Sequence, residues 1–273
     1  MLPAFLLSLR EGLEAALIIG IVLGALHKMN RRELYPAVWW GTGMAAAISF
    51  GIALGLIRFG AELEGSAEMI FEGVTMLLAA VVLTWMIFWM QRQSRSIKGE
   101  LESSVRQRAV RLGAQGLFWL AFFAVLREGV ELALFLTATA MATGTQADFV
   151  GALLGLAGAA VLGWLLFTST ARLNLHLFFM VTSVLLIVFA GGLVAHAVHE
   201  FNEVGWIPEI VEHIWDINPI LNEESSLGMT LKALFGYNGN PSLTEVLSYV
   251  AYFAAILIGL RLSRTSVPVQ QEA

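Results

Sequence analysis

Two short stretches set acids and a base at helical spacing inside otherwise apolar sequence: LREGLEAAL at residues 9–17 and LREGVELAL at 126–134. In a helix Glu11 and Glu14 share a face, and Arg10 lies one turn from Glu14, close enough to pair. Glu128, Glu131 and Arg127 repeat that spacing. Carboxylate oxygens are hard ligands that suit magnesium, calcium, manganese or ferric iron better than copper(I). Two arginines against four glutamates leave a negative balance suited to a multivalent cation. Gly12 and Gly129, inside the two copies, leave room for a partner helix or a partly dehydrated ion. One such motif alone reads equally well as a neutral ion pair holding helices in register. Two copies, each with a glutamate left over, favour an ion site.

The elements that carry these groups are membrane helices. The chain has 273 residues, of which 58% are hydrophobic and 14% charged. Its mean hydropathy is +0.75. A soluble protein of this length needs more polar cover than that. Apolar segments stand at about 3–26, 36–57, 69–90, 116–141, 149–171, 176–198 and 243–262, each of the length that spans ~30 Å of hydrocarbon. The expected fold is therefore an all-α polytopic membrane protein with seven transmembrane helices. No cysteine is present, which excludes disulfides, thiolate metal sites and thiol nucleophiles. A net charge of −5 makes nucleic acid an unsuitable partner. The first segment lacks a basic leader and contains Arg10, Glu11 and Glu14, so it reads as a retained helix rather than a signal peptide.

Basic residues orient the chain. Lys28, Arg31, Arg32, Arg92, Arg95, Lys98, Arg106, Arg108, Arg111 and Arg172 fall in one set of alternate loops, and Arg261 and Arg264 lie in the tail on that side. Only Arg58 and Lys232 fall opposite. The positive-inside rule then puts the N-terminus outside and the C-terminus inside. The two motifs occupy the first and fourth helices, three crossings apart, so they run in opposite directions. Helices 1–3 and 4–6 thus form an inverted-topology repeat, with helix 7 added, an architecture that places sites near the midplane. Phe71, Val74 and Thr75 are echoed by Phe178, Val181 and Thr182. The expected organisation is one transmembrane domain over 1–273. It comprises repeat one at 1–92, a basic cytoplasmic linker at 92–115 able to form a short surface helix, and repeat two at 116–200. An outward acidic and histidine-bearing region at 199–242 and helix seven at 243–262 complete it. Gly51/Gly55 and Gly151/Gly155 are spaced for close helix approach.

At ~1.5 Å per residue, Glu11 lies ~12 Å from the outer end of its helix and Glu128 ~18 Å from the inner end of its own, so both fall near the bilayer centre. A charge at that depth costs at least ~3 kcal/mol, so it must face protein, water or an ion. Glu72, near the start of the third helix, fits either an interfacial position or the ion path. His196, His199, Glu200 and Glu203 have the spacing of one helical face, and so do Glu209, Glu212, His213 and Asp216. Each set suits either outer capture of a metal ion or a solvated amphipathic helix. Glu62, Glu64 and Glu68 add outer negative charge that concentrates cations.

The two REGxE motifs, FEG opening the third segment, LTWMIFWM ending it and RLNL before the sixth together resemble the iron permease family. The resemblance covers nearly the whole chain, to about residue 262. It implies inward iron transport across the cytoplasmic membrane of a bacterium. It also implies that Glu11, Glu14, Glu128 and Glu131 are translocation ligands, with Arg10 and Arg127 balancing their charge. It further implies a separate partner that oxidises the iron, commonly a multicopper oxidase in fungi or, in bacteria, a haem peroxidase with a periplasmic iron-binding protein. This chain has no oxidase motif or haem attachment site, so the expectation is a permease subunit with iron as substrate, no resident cofactor and membrane lipid as surroundings. Manganese or lead would suit the same hard oxygen ligands. An intramembrane glutamic-type hydrolase would also use paired carboxylates. Hydrolysis needs one asymmetric pair, however, and two inverted copies suit an ion path better. Whether the ion is ferrous or ferric, and how many copies assemble, is left open by these residues.

Overall fold

The computed structural model describes residues 1–93, 97–143, 147–168, 175–223 and 225–265. These are helical throughout, apart from turns and loops. The helices are α1 (Leu2–Lys28), α2 (Tyr35–Ala61), α3 (Ser66–Gln93), α4 (Ile97–Arg111), α5 (Gly113–Thr143), α6 (Ala147–Thr168), α7 (Leu175–Glu203), α8 (Ser226–Phe235) and α9 (Leu243–Thr265). The seven apolar segments fall on α1, α2, α3, α5, α6, α7 and α9, with the last residues of 149–171 outside the described part. Among the described residues, α2, α3, α6, α7 and α9 are each long and apolar enough to cross a membrane. The other two, α1 and α5, have 27 and 31 residues but each holds the three charges of its motif. The chain is thus an all-helical polytopic membrane protein.

Local signals set the helix ends. Pro3 and Pro36 sit in the first turns of α1 and α2, where a missing N–H costs little. α1 closes with Asn30 at φ 56°, the Asn30 N–H bonded to the His27 carbonyl and that of Arg31 to the Leu26 carbonyl. This is a Schellman ending, with His27 and Lys28 near the negative end of the dipole. α7 closes the same way on Gly205, with Trp206 stacked on Phe201 at 5.6 Å. α9 begins with a reciprocal cap: Ser242 Oγ accepts from the Glu245 N–H and Glu245 Oε1 accepts from the Ser242 N–H.

The helices pair in a regular way. α1 lies mainly against α6, α2 against α5 and α3 against α7, while α1 also meets α5 directly. Exchanging α1–α3 with α5–α7 turns the first pair into the second and leaves the third unchanged. One apolar core joins α3, α5 and α7 with Leu7 of α1; a second joins α1, α2, α4 and α5. The linker helix α4 contributes Val105 and Ala109 to this second core, so it is docked on the bundle. Trp40, Trp85 and Trp164 are exposed on the outside of the bundle, as lipid-facing side chains are.

Two expectations are corrected here. Gly151 and Gly155 do admit a close neighbour, since a Cβ at either would strike the α1 backbone at Met1 or at Phe5 and Leu9. Gly51 and Gly55 do not, for no atom of the described residues would lie within 4 Å of a Cβ there. On α2 the close approach falls at Gly41, which packs on the Phe118 carbonyl and Phe122 N–H of α5. Gly155 and Gly41 therefore each sit over a backbone carbonyl and the amide four residues on. The second correction concerns Glu209, Glu212, His213 and Asp216, which share no helical face because 209–216 is not helical. This exposed segment spends its backbone groups elsewhere. Ile214 and Ile217 N–H donate to the Pro241 and Gly239 carbonyls, and Leu243 N–H donates to that of Val211.

Candidate metal site

The site forms where α1 meets α5. Gly12 faces α6, where an added Cβ would lie 2.7 Å from that of Ala159. Gly129 faces α2, where an added Cβ would strike Ser49. The gap that each glycine leaves is thus filled by a partner helix. With those faces occupied, the carboxylates turn toward each other. Glu11, Glu128 and Glu131 each offer an oxygen within 4.8 Å of the others. Among the described residues, this is the one group of three or more histidines or acids close enough to hold an ion. Glu11 is 1% and Glu128 4% exposed, so water does little to offset their charge.

The arginines flank this group. Arg10 is fully buried; its Nη1 donates to Glu11 Oε1 at 2.6 Å and its Nη2 lies 2.9 Å from Glu14 Oε1. Arg127 donates from Nε to Glu131 Oε1 at 2.9 Å, while Glu128 Oε1 is 4.0 Å away. Glu11 Oε2, Glu128 Oε2 and Glu131 Oε2 are buried and have no hydrogen-bond partner among the described residues. Three orphaned carboxylate oxygens are costly unless something positive meets them. A metal ion fits this need: several hard oxygens, converging, with spare lone pairs. Ser8 Oγ and Ser49 Oγ, on α1 and α2, are likewise buried without a hydrogen-bond partner among the described residues.

Motif reading missed what α3 contributes. Met86 and Met90 sulfurs accept from Arg10 Nη1 at 2.9 Å and Nη2 at 2.7 Å. The Arg127 guanidinium lies 4.5 Å above the Trp89 ring. The sequence holds a clue in LTWMIFWM, whose Met86, Trp89 and Met90 are spaced to share one face. Helical spacing does not say which neighbour that face meets.

The outer candidates are placed differently. Glu72 is half-buried on α3, within electrostatic range of Glu68 and Glu200. His196 is buried, with Nδ1 donating to the Gly192 carbonyl at 3.0 Å. His199 Nδ1 meets Glu245 Oε1 at 3.1 Å, and its Nε2 lies 3.4 Å from Glu203 Oε1. Glu245 also accepts from Asn238 at 2.8 Å. Asn202 donates to Ser242 and Thr244. In this structure the C-terminal end of α7 is therefore tied to the start of α9, through partners 40 or more residues away. Glu209, Glu212, His213 and Asp216 are exposed, and Asp216 accepts the Asn218 N–H at 3.0 Å.

Comparison with known proteins gives a consistent result. The family model "Iron permease FTR1 family" matches residues 1–268. A protein of Shigella sonnei (strain Ss046) named "Ferrous iron permease EfeU" is 37% identical over 264 residues, covering 96% of this chain and 96% of its own. One of the same name from Escherichia coli O157:H7 has the same identity and coverage. The Yersinia pestis protein of that name is 34% identical over 260 residues, covering 94% of this chain and 92% of its own. No solved structure matches.

Proposed function

The chain belongs to the FTR1 iron permease family, and we propose that it carries ferrous iron inward through a midplane site built by its two REGxE motifs. The observation that carries this reading is the convergence of Glu11, Glu128 and Glu131 within 4.8 Å from two helices. Charge supports a divalent ion, since four glutamates and two arginines leave two negative charges for one Fe²⁺ to neutralise. The name shared by the relatives, ferrous iron permease, agrees.

In this reading seven helices cross the cytoplasmic membrane of a bacterium, with the N-terminus outside. Both α1 and α5 cross despite their charges, because those charges face one another rather than lipid. α1–α3 and α5–α7 are inverted repeats, which the exchange symmetry of helix pairing supports. Outer acids, Glu72 and Glu200 among them, concentrate the cation. Glu11, Glu128 and Glu131 then replace part of its hydration shell, with Glu14 next along the α1 face. The arginines limit repulsion between the acids when no ion is bound. Iron is substrate rather than cofactor. A periplasmic iron-binding protein and a haem peroxidase or other oxidase are the partners that the resemblance implies.

Radiolabelled iron uptake into a transport-deficient strain tests this directly. Glu14→Gln and Glu131→Gln, at matched membrane levels, should each abolish uptake, because carboxamides are neutral and poorer ligands. Wild-type uptake by both variants sinks the assignment. Manganese that competes with iron at equal concentration would make the substrate a broader class of divalent cation.

A further inference from the structure

Met86, Trp89 and Met90 form one turn-and-a-bit of a single face of α3, and between them they touch both arginines of the duplicated site. The repeat does not supply this face twice. Extending the echo between Phe71–Thr75 and Phe178–Thr182 along the two helices puts Leu193, His196 and Ala197 of α7 in the corresponding places. Leu193 and Ala197 have no acceptor to offer, and His196 is bound to the Gly192 carbonyl of its own helix. Two arginines on symmetry-related helices therefore end on one helix, and the other helix of that pair plays no such part.

The chemistry of the face matters. Thioether sulfurs accept hydrogen bonds weakly and an indole face attracts a guanidinium through its quadrupole, and neither carries charge. Such groups direct the arginine heads without altering the charge balance of the site. An amide or carboxylate at these positions would compete with the glutamates for the arginines or change that balance. The outcome is visible at the acids. Arg127 engages Glu131 through one oxygen and stands 4.0 Å from Glu128, leaving Oε2 of each without a hydrogen-bond partner. Arg10 likewise takes Glu11 Oε1 and leaves Oε2.

We infer that Met86, Trp89 and Met90 are positioning residues whose neutral face on α3 holds both arginines beside the carboxylates, so that oxygens of Glu11, Glu128 and Glu131 remain available to the ion. The inference rests on the proposed iron site. Without Trp89, the Arg127 head is free to fold over Glu128 and compete with the metal for the same oxygens.

The test is Fe²⁺ binding to the purified full chain in detergent, kept anaerobic and read by calorimetry. Trp89→Leu should weaken binding about tenfold, within the range of direct side-chain coupling. Trp89→Phe, which keeps an aromatic face, should stay within about twofold of wild type. In an Arg127→Gln background, Trp89→Leu should have no further effect, because the competing charge is gone. Met86→Leu with Met90→Leu conserves volume and should weaken binding about threefold through Arg10, with unfolding temperature unchanged. Equal damage from Phe and Leu at Trp89, or effects of Trp89→Leu and Arg127→Gln that simply multiply, would overturn the inference, as would wild-type binding by the double Leu variant. Failure of the wild-type chain to bind iron would instead strike the proposed function, so the two failures are distinct.

Discussion

The two copies of REGxE differ by little in sequence and a great deal in surroundings. In the α1 copy Arg10 is fully buried and contacts both glutamates of its motif and two methionine sulfurs. In the α5 copy Arg127 is 40% exposed, holds one glutamate closely and rests on a tryptophan face. The nearby glycines differ too, Gly12 meeting an alanine of α6 and Gly129 a serine of α2. A repeat that is symmetric in its motif thus becomes asymmetric through its neighbours. The α1 copy is the more buried and more fully contacted of the two, and the α5 copy the more open.

Removing each arginine is the harshest way to break that comparison. Arg10→Leu strands Glu11 and Glu14 without their cation in a dry interior, at a cost of about 3–5 kcal/mol. Arg127→Leu should cost less, about 1–3 kcal/mol, because Arg127 holds one glutamate closely where Arg10 contacts two. Thermal unfolding of the purified protein in detergent measures both, and equal losses would erase the distinction between the buried and the more open copy. Next come the glycines. Gly12→Ala should cost about 1–3 kcal/mol by overpacking against Ala159 and be relieved by Ala159→Gly. Gly129→Ala should cost a similar amount and be relieved by Ser49→Gly, so the two rescues must not be interchangeable. The smallest effects belong to Gly51→Ala and Gly55→Ala, which meet open space and should change stability by less than about 1 kcal/mol, in the stabilising direction.

Much of the molecule is legible residue by residue. The apolar segments predict the long helices closely, because a span is a property of contiguous residues and needs no knowledge of neighbours. Glu11, Glu128 and Glu131 were also within reach of sequence reasoning, since charge in hydrocarbon is costly enough to demand a partner. The outer region was harder. His199 does lie 3.4 Å from Glu203 on its own helix, as its spacing suggests, but it also meets Glu245, 46 positions away. Glu209–Asp216 has helical spacing, but its backbone bonds to the 239–243 segment, and spacing means nothing once the helix is absent. Gly51 and Gly55 had the right interval on the wrong face of α2, where Gly41 does the packing.

By itself, then, the sequence determined which segments form long apolar helices, where the charges sit along them, and that the charged motif occurs twice. Those are local properties, set by residue type and by the 3.6-residue turn. The tertiary structure alone decided which glycine faces which helix, which oxygens converge, and that a single face of α3 takes both arginines. Helical periodicity defines which residues share a face, whereas the rotation of each helix follows from packing against all its neighbours at once. Only that collective fit buries one REGxE copy and leaves the other more open.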